Sequence, residues 1–266
     1  CRRFLHEYAS SYGHAPLPVL LASSKTFLSM VSTCCISSTP NACFLKEKLE
    51  RKTLSLLTLM SNRVCSRFAA YGKDKVTASY LTMLAQKTPG ASFEDLFPLA
   101  EDAAEVFSQC CDSVSEDCMQ KKLSEHTAKV CGALSARDER LAGCCLGQNV
   151  LQNYFCIFAL PPSPAPKLPE PQKPTSEQLG FFSTPRGEPY MFELGRRHTS
   201  VPDVFLGKVY EASKKAIGEC CSAKDASSCF DSKRQQMEEE LPPFLEKADQ
   251  FCGQYNQLNF VDFKKK

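Results

Sequence analysis

Tryptophan is absent from the 266 residues, and histidine occurs four times, at His6, His14, His126 and His198. Eighteen phenylalanines and eight tyrosines therefore supply the aromatic bulk. No C-x-x-C pair with matching histidines occurs, so metal ligation is not expected. G-x-S-x-G, H-E-x-x-H and G-x-x-x-x-G-K are all missing, which removes the common hydrolase and phosphate-binding signatures. No catalytic residue and no cofactor are expected. One conceivable Cys/His pair, His126 and Cys131, lies five residues apart, which is poor helical geometry, and a disulfide-bonded sulfur cannot attack. There is no N-x-S/T sequon for N-glycosylation.

Charge of one sign is lacking as well. Thirty-two basic and thirty acidic residues leave a net +2, which gives no electrostatic case for nucleic acid. No unbroken apolar run reaches the ~18 residues of a membrane span. The period-2 alternation of half-buried strands is nearly absent throughout.

Cysteine is what the chain has in excess: sixteen of them. At that density in a long chain they point to disulfides and an oxidising compartment, hence to a secreted, extracellular protein. Between Cys110 and Cys156 the pattern reads CC, six residues, C, twelve, C, twelve, CC, ten, C. Adjacent cysteines rarely bond each other, because a disulfide needs Cα atoms roughly 5.5 Å apart in an unstrained geometry. On a helix, neighbouring side chains diverge by about 100°, so each pair can tie its helix to two different neighbours.

Helical spacing recurs along the chain. Leu17, Leu20, Leu21, Phe27, Leu28, Val31 and Cys35 form one series. Thr39-Pro40 reads as an N-cap followed by proline at the first helical position, and that helix continues through the charged stretch from Lys46 to Lys52. A further helix, about Leu54 to Tyr71, is broken by Gly72, and an apolar segment follows from Val76 to Leu84. Ser92 and Asp95 resemble a capping box. They precede a stripe of Phe93, Leu96, Phe97, Ala100, Ala103, Phe107 and Cys110, read as core. Residues 161–174 hold seven prolines in fourteen positions, an extended connector. Ser200 with Asp203 opens another helix, carrying Phe205, Val209, Ala212, Ala216, Ile217 and Cys220. A last helix is expected from about Leu241 through Cys252.

There is also an internal repeat. Cys34-Cys35, seven residues, Cys43-Phe44 returns 186 residues later as Cys220-Cys221, seven residues, Cys229-Phe230. A repeating CC helical framework of this kind resembles the serum albumin superfamily, and within it the branch that carries vitamin D sterols. The segments YGHAPLPVLLASSKTFLSMVSTCC, CFLKEKLERKTLSLLTLMSNRVCS, AAYGKDKV, PLAEDAAEVFSQCCDSVSEDCM and FELGRRHTSVPDVFLGKV carry the likeness across almost the whole chain. It implies an all-α fold of disulfide-linked, albumin-like domains. Residues 1–52 would be the second half of a first domain. Residues 53–235 would be a second domain containing the 161–174 connector, and 236–266 the start of a third. The chain would thus be a fragment, lacking material at both ends, and a monomer.

The resemblance also implies a pairing scheme in which the first cysteine of each pair bonds downstream and the second upstream. That gives Cys34–Cys43, Cys65–Cys111, Cys110–Cys118, Cys131–Cys145, Cys144–Cys156 and Cys220–Cys229. Cys1, Cys35, Cys221 and Cys252 are left unpaired. The upstream partner of Cys35 would precede residue 1, and that of Cys221 would fall near Gly180.

Two activities follow from the same resemblance. The first is transport of vitamin D sterols by the full-length protein, through a half-domain absent from this chain, so no sterol-contacting residue is assigned here. The second is sequestration of monomeric actin, with Phe230, Lys233, Glu240, Leu241, Phe244, Lys247, Tyr255, Phe260 and Lys264 matching the actin-binding segment. Glu238 and Glu239 depart from it, standing where lysines are expected. Such reversals at a rim act mainly on association rate and salt dependence. Taken alone, Phe244, Phe251, Tyr255, Phe260 and Phe263 read more readily as core of the last helices. An albumin-like fatty-acid carrier is the alternative reading, and a structural fragment without a small ligand is a third.

Overall fold

Helices begin at residue 2, and as far as Ala159 they succeed one another through short connections. The computed structural model describes residues 2–50, 52–115, 117–164, 166–167 and 188–237, with 239, 240 and 243. Among these the regular elements are all helical: α1 (Arg2–Ser11), α2 (Leu17–Cys35), α3 (Pro40–Glu50), α4 (Lys52–Lys87), α5 (Phe93–Cys110), α6 (Cys118–Leu134), α7 (Glu139–Cys145), α8 (Val150–Ala159), α9 (Glu188–Arg197) and α10 (Asp203–Cys220). Residues 226–237 form a further helix, α11. The chain divides into two compact units, 1–200 and 201–266. This division counts packed bodies, whereas the division into 1–52, 53–235 and 236–266 is the one that the family resemblance implies.

In the first unit the core lies where α4, α5, α6, α8 and α9 meet. The sequence stripe on α5 faces it: Leu96, Ala100, Ala103, Phe107 and Cys110 are buried, with Phe93 and Phe97 at its edge. α5 starts where the side chain of Ser92 accepts from the Asp95 amide and the Asp95 carboxylate accepts from the Ser92 amide. Two otherwise unpaired helix-end donors are satisfied in this way. α4 kinks at Gly72, whose φ of 76° lies in the left-handed region that favours glycine. The break expected there is this kink, where the backbone leaves helical geometry between two helical stretches.

Six disulfides hold the helices: Cys34–Cys43, Cys65–Cys111, Cys110–Cys118, Cys131–Cys145, Cys144–Cys156 and Cys220–Cys229. Each joins the two cysteines that the family resemblance pairs. The Cα separations run from 5.4 to 5.8 Å, inside the unstrained range. Cys110 and Cys111 show what an adjacent pair does: one reaches forward to Cys118, the other back to Cys65 on α4.

The series from Leu17 to Cys35 forms one helix, α2, as its spacing predicts, with Leu17 and Leu21 60% and 48% exposed and Pro18, Val19, Leu20, Ser24 and Cys34 buried. Two readings of the sequence need correction. Although no unbroken apolar run reaches a membrane span, α2 is long and apolar enough to cross a membrane by length and composition, at nineteen residues and a mean hydropathy of 1.2. Its single lysine, Lys25, and its scattered hydroxyls break the run without lowering the average below that level. Here α2 is fastened by the Cys34–Cys43 bridge and by a 2.7 Å hydrogen bond between Ser23 and Thr58 of α4. The second correction concerns α10, whose N-cap is Pro202 with no side-chain capping bond, so Ser200 is not its cap. The helix expected from Leu241 to Cys252 lies outside the described residues, as do 168–187 of the segment containing the connector.

Candidate functional site

The second unit carries the segment where actin contacts are expected. α10 ends at Cys220, and the Cys220–Cys229 bridge turns the chain directly into α11. Asp225 starts that turn: its carboxylate accepts from the Ser228 amide at 3.1 Å and its carbonyl from the Cys229 amide at 3.2 Å. Phe230 and Lys233 follow on α11, both half-buried. Lys233 reaches back to Glu219 of α10 at 2.5 Å. The hydrogen bond from Lys233 holds the Glu219 carboxyl below its ordinary value, and the charges of Lys233 and Lys215 add to this. Lys233 is therefore engaged within the unit. Glu239 and Glu240 are exposed, and Glu240 accepts from Gln236 at 2.8 Å. The structure brings together Phe230 and Lys233 on α11, with Glu240 beyond them. Leu241, Phe244, Lys247, Tyr255, Phe260 and Lys264 lie outside the described residues, as does Glu238.

The four left-over cysteines separate in the same way. Cys35 and Cys221 are free and exposed, each the second member of an adjacent pair. Cys1 and Cys252 are outside the described residues.

The first unit holds a polar chain that sequence spacing did not reveal. His126 on α6 has no exposed surface. Its Nε2 lies 2.7 Å from the Tyr80 hydroxyl of α4, and its Nδ1 lies 2.7 Å from Asp102 of α5. Lys129, one turn along α6, donates to the other Asp102 oxygen. Burial pushes the His126 imidazole down further than Asp102 raises it, and Lys129 lowers it again. Burial works to raise the Asp102 carboxyl, but the hydrogen bonds from Lys129 and His126 outweigh it and hold the group low. Burial, with Tyr154 and Asp102 nearby, pushes the Tyr80 hydroxyl well up. Cys131 is bonded to Cys145 and His126 is turned to Tyr80 and Asp102, so the two do not form a nucleophile–base pair.

Lys87 is a second buried polar group, 6% exposed. Its ammonium donates to the carbonyls of Phe158 and Leu160 at the end of α8. Arg140 donates to the Lys87 carbonyl at 2.8 Å while clasping Asp138 at 2.7 Å. Burial, with the Arg140 charge beside it, lowers the Lys87 pKa to about 8. A half-open cavity of about 340 Å³ lies among residues 13–17, 65–69 and 111–114, with the Cys65–Cys111 sulfurs in its wall. Among the described residues no group of three or more His, Cys, Asp or Glu side chains is placed to hold a metal ion.

This disulfide-bolted helical frame has counterparts among known proteins. Residues 63–230 match the serum albumin family. The chain belongs to that family. Among albumin-family relatives, the vitamin D-binding protein of Rattus norvegicus is 47% identical over 99% of this chain, and that of Homo sapiens is 44% identical over the same share. The chain spans about half the length of these curated relatives, 56% in both cases. Afamin of Rattus norvegicus is more distant, 24% identical over 96% of this chain and 43% of its own length. In three dimensions an orthorhombic crystal form of human afamin superposes on 97% of this chain and 46% of its own, with a TM-score of 0.69 and 20% identity. That similarity speaks for the albumin fold.

Proposed function

We propose that this chain is part of an extracellular plasma carrier of the vitamin D-binding type, which transports vitamin D sterols and sequesters monomeric actin. The observation that carries this reading is the 47% identity to the rat vitamin D-binding protein, sustained over 99% of the chain. The cysteine framework supports secretion, since six disulfides persist only in an oxidising compartment. On this reading the protein is a carrier and not an enzyme, with domain boundaries near residues 52 and 235.

Within the chain itself the sterol site is absent and part of the actin surface is retained. That surface comprises Phe230, Lys233, Glu240, Leu241, Phe244, Lys247, Tyr255, Phe260 and Lys264. Titration of the chain with monomeric actin and with 25-hydroxyvitamin D tests the proposal. Actin binding without sterol binding is expected. Sterol binding by this chain would overturn the assignment of the cleft, and failure to bind actin would overturn the retained surface. Binding of oleate in place of both would favour an albumin-like fatty-acid carrier.

A further inference from the structure

The described histidines differ sharply in setting. His6, His14 and His198 are exposed, and His126 is fully enclosed where α4, α5, α6 and α8 pack. With Nδ1–H donating to the Asp102 carboxylate, Nε2 is left to accept from the Tyr80 hydroxyl, so both 2.7 Å contacts are satisfied by a neutral ring. One imidazole thus joins three helices through two hydrogen bonds.

We infer that the Tyr80–His126–Asp102 chain is a proton-sensitive latch, closed while His126 is neutral and loosened when the ring takes a second proton. That proton must go to Nε2, where the Tyr80 hydroxyl now donates. The hydroxyl then has to rotate and find another acceptor inside the core. The charge has little compensation. Asp102 already answers Lys129, so a protonated ring leaves the three groups with a net positive charge, and of the three only the ring is fully shut off from water.

The other facing groups do not relieve this. From α8 the Tyr154 ring lies 6.5 Å from the imidazole between centroids, and its hydroxyl is neutral and has no hydrogen-bond partner among the described residues. From α5, Glu105 is taken by Lys73 of α4 and by Gln109. On α6 itself, Glu125 pairs with Lys122 at the surface, 3.4 Å away. The lowered pKa of His126 agrees with this geometry. The sign follows. An unfolded chain takes up its His126 proton near pH 6.5 while the folded chain resists it, so stability falls as pH drops from that value toward the folded pKa.

The test is an NMR titration of the His126 ring in the intact chain, beside urea unfolding across the same pH range. Lys129 is 58% exposed, so Lys129→Met preserves the packing while freeing Asp102 to face the ring alone. In the native chain His126 should titrate below about pH 6.5, and the unfolding constant should grow by up to about tenfold per pH unit lost. Lys129→Met should raise the ring's titration point and flatten that dependence, and His126→Gln should remove the His126 contribution altogether. A native ring that titrates at or above the ordinary histidine value overturns the latch. So does an unchanged titration point in Lys129→Met, which a merely structural lysine would give. If His126→Gln fails to fold, the Lys129→Met result decides.

Discussion

Gly195 sits where α9 crosses α4, and a Cβ built there would lie 2.9 Å from the Thr82 carbonyl oxygen and 3.2 Å from the Ala85 Cβ. The first of these is backbone and cannot swing aside. Gly195→Ala should therefore push α9 off α4 and cost about 1–3 kcal/mol, read from the urea midpoint. Gly207 on α10 has nothing within 4 Å of the same built atom. Gly207→Ala should instead stabilise by about 0.5–1 kcal/mol through helix propensity alone. Equal effects at the two positions would remove the close-approach argument. Lys87 supplies a pH effect of the same direction as that of the enclosed imidazole, in a higher pH window. Its folded pKa is about 8, below the ordinary lysine value of 10.5. Between those values the unfolded chain holds the proton more tightly, so this group adds stability as pH rises through that window. Lys87→Met should lose that rise, and at neutral pH should destabilise by about 1–3 kcal/mol by stranding the Phe158 and Leu160 carbonyls. Parallel stability-versus-pH curves for the two proteins would refute the assignment.

Elements are fixed by caps and staples. Ser92→Ala removes one arm of the reciprocal cap on α5 and should cost about 1 kcal/mol. The bridges differ mainly in how much chain they enclose. Cys65–Cys111 spans 46 residues and Cys110–Cys118 spans 8. On loop-closure entropy the first contributes about 4 kcal/mol and the second about 2.5 kcal/mol. Replacing each pair by alanines and comparing chemical denaturation should reproduce that order. A reversal would mean that packing around the sulfurs, not loop length, sets their contribution. Much at this scale can be read from sequence: the Ser92–Asp95 cap, the buried α5 stripe and the bend at Gly72. The α2 series gives the helix but not which of its residues are covered, because helical spacing identifies an apolar face without saying whether another element packs on it. Leu17 and Leu21 lie on a face left open, while Val19 and Leu20 turn inward.

For the molecule as a whole, the thiol inventory is the direct check on its covalent plan. Alkylation of the native chain before reduction should label Cys35 and Cys221, and a non-reducing peptide map should recover all six bridges. Recovery of Cys34 joined to Cys35, or of Cys131 as a free thiol, would contradict the frame. In the second unit, the Cys220–Cys229 bridge sets α11 against α10, and Lys233 is already paired with Glu219. A partner that uses Lys233 must compete with that pair, which spacing alone gave no reason to expect.

What the sequence by itself determined is the helical class, the family and the disulfide framework. The helical class rests on local periodicity, and the family and the pairing scheme rest on the resemblance carried by the quoted segments and the repeating adjacent cysteines, each pair serving two neighbouring helices. The tertiary structure alone decided which apolar faces are covered, why Gly195 must stay small, and where Lys87 and His126 find their partners. Those partners lie 24, 46 and 71 residues away in the chain. No short-range pattern encodes such contacts, because they form only when distant helices pack and water is excluded from between them.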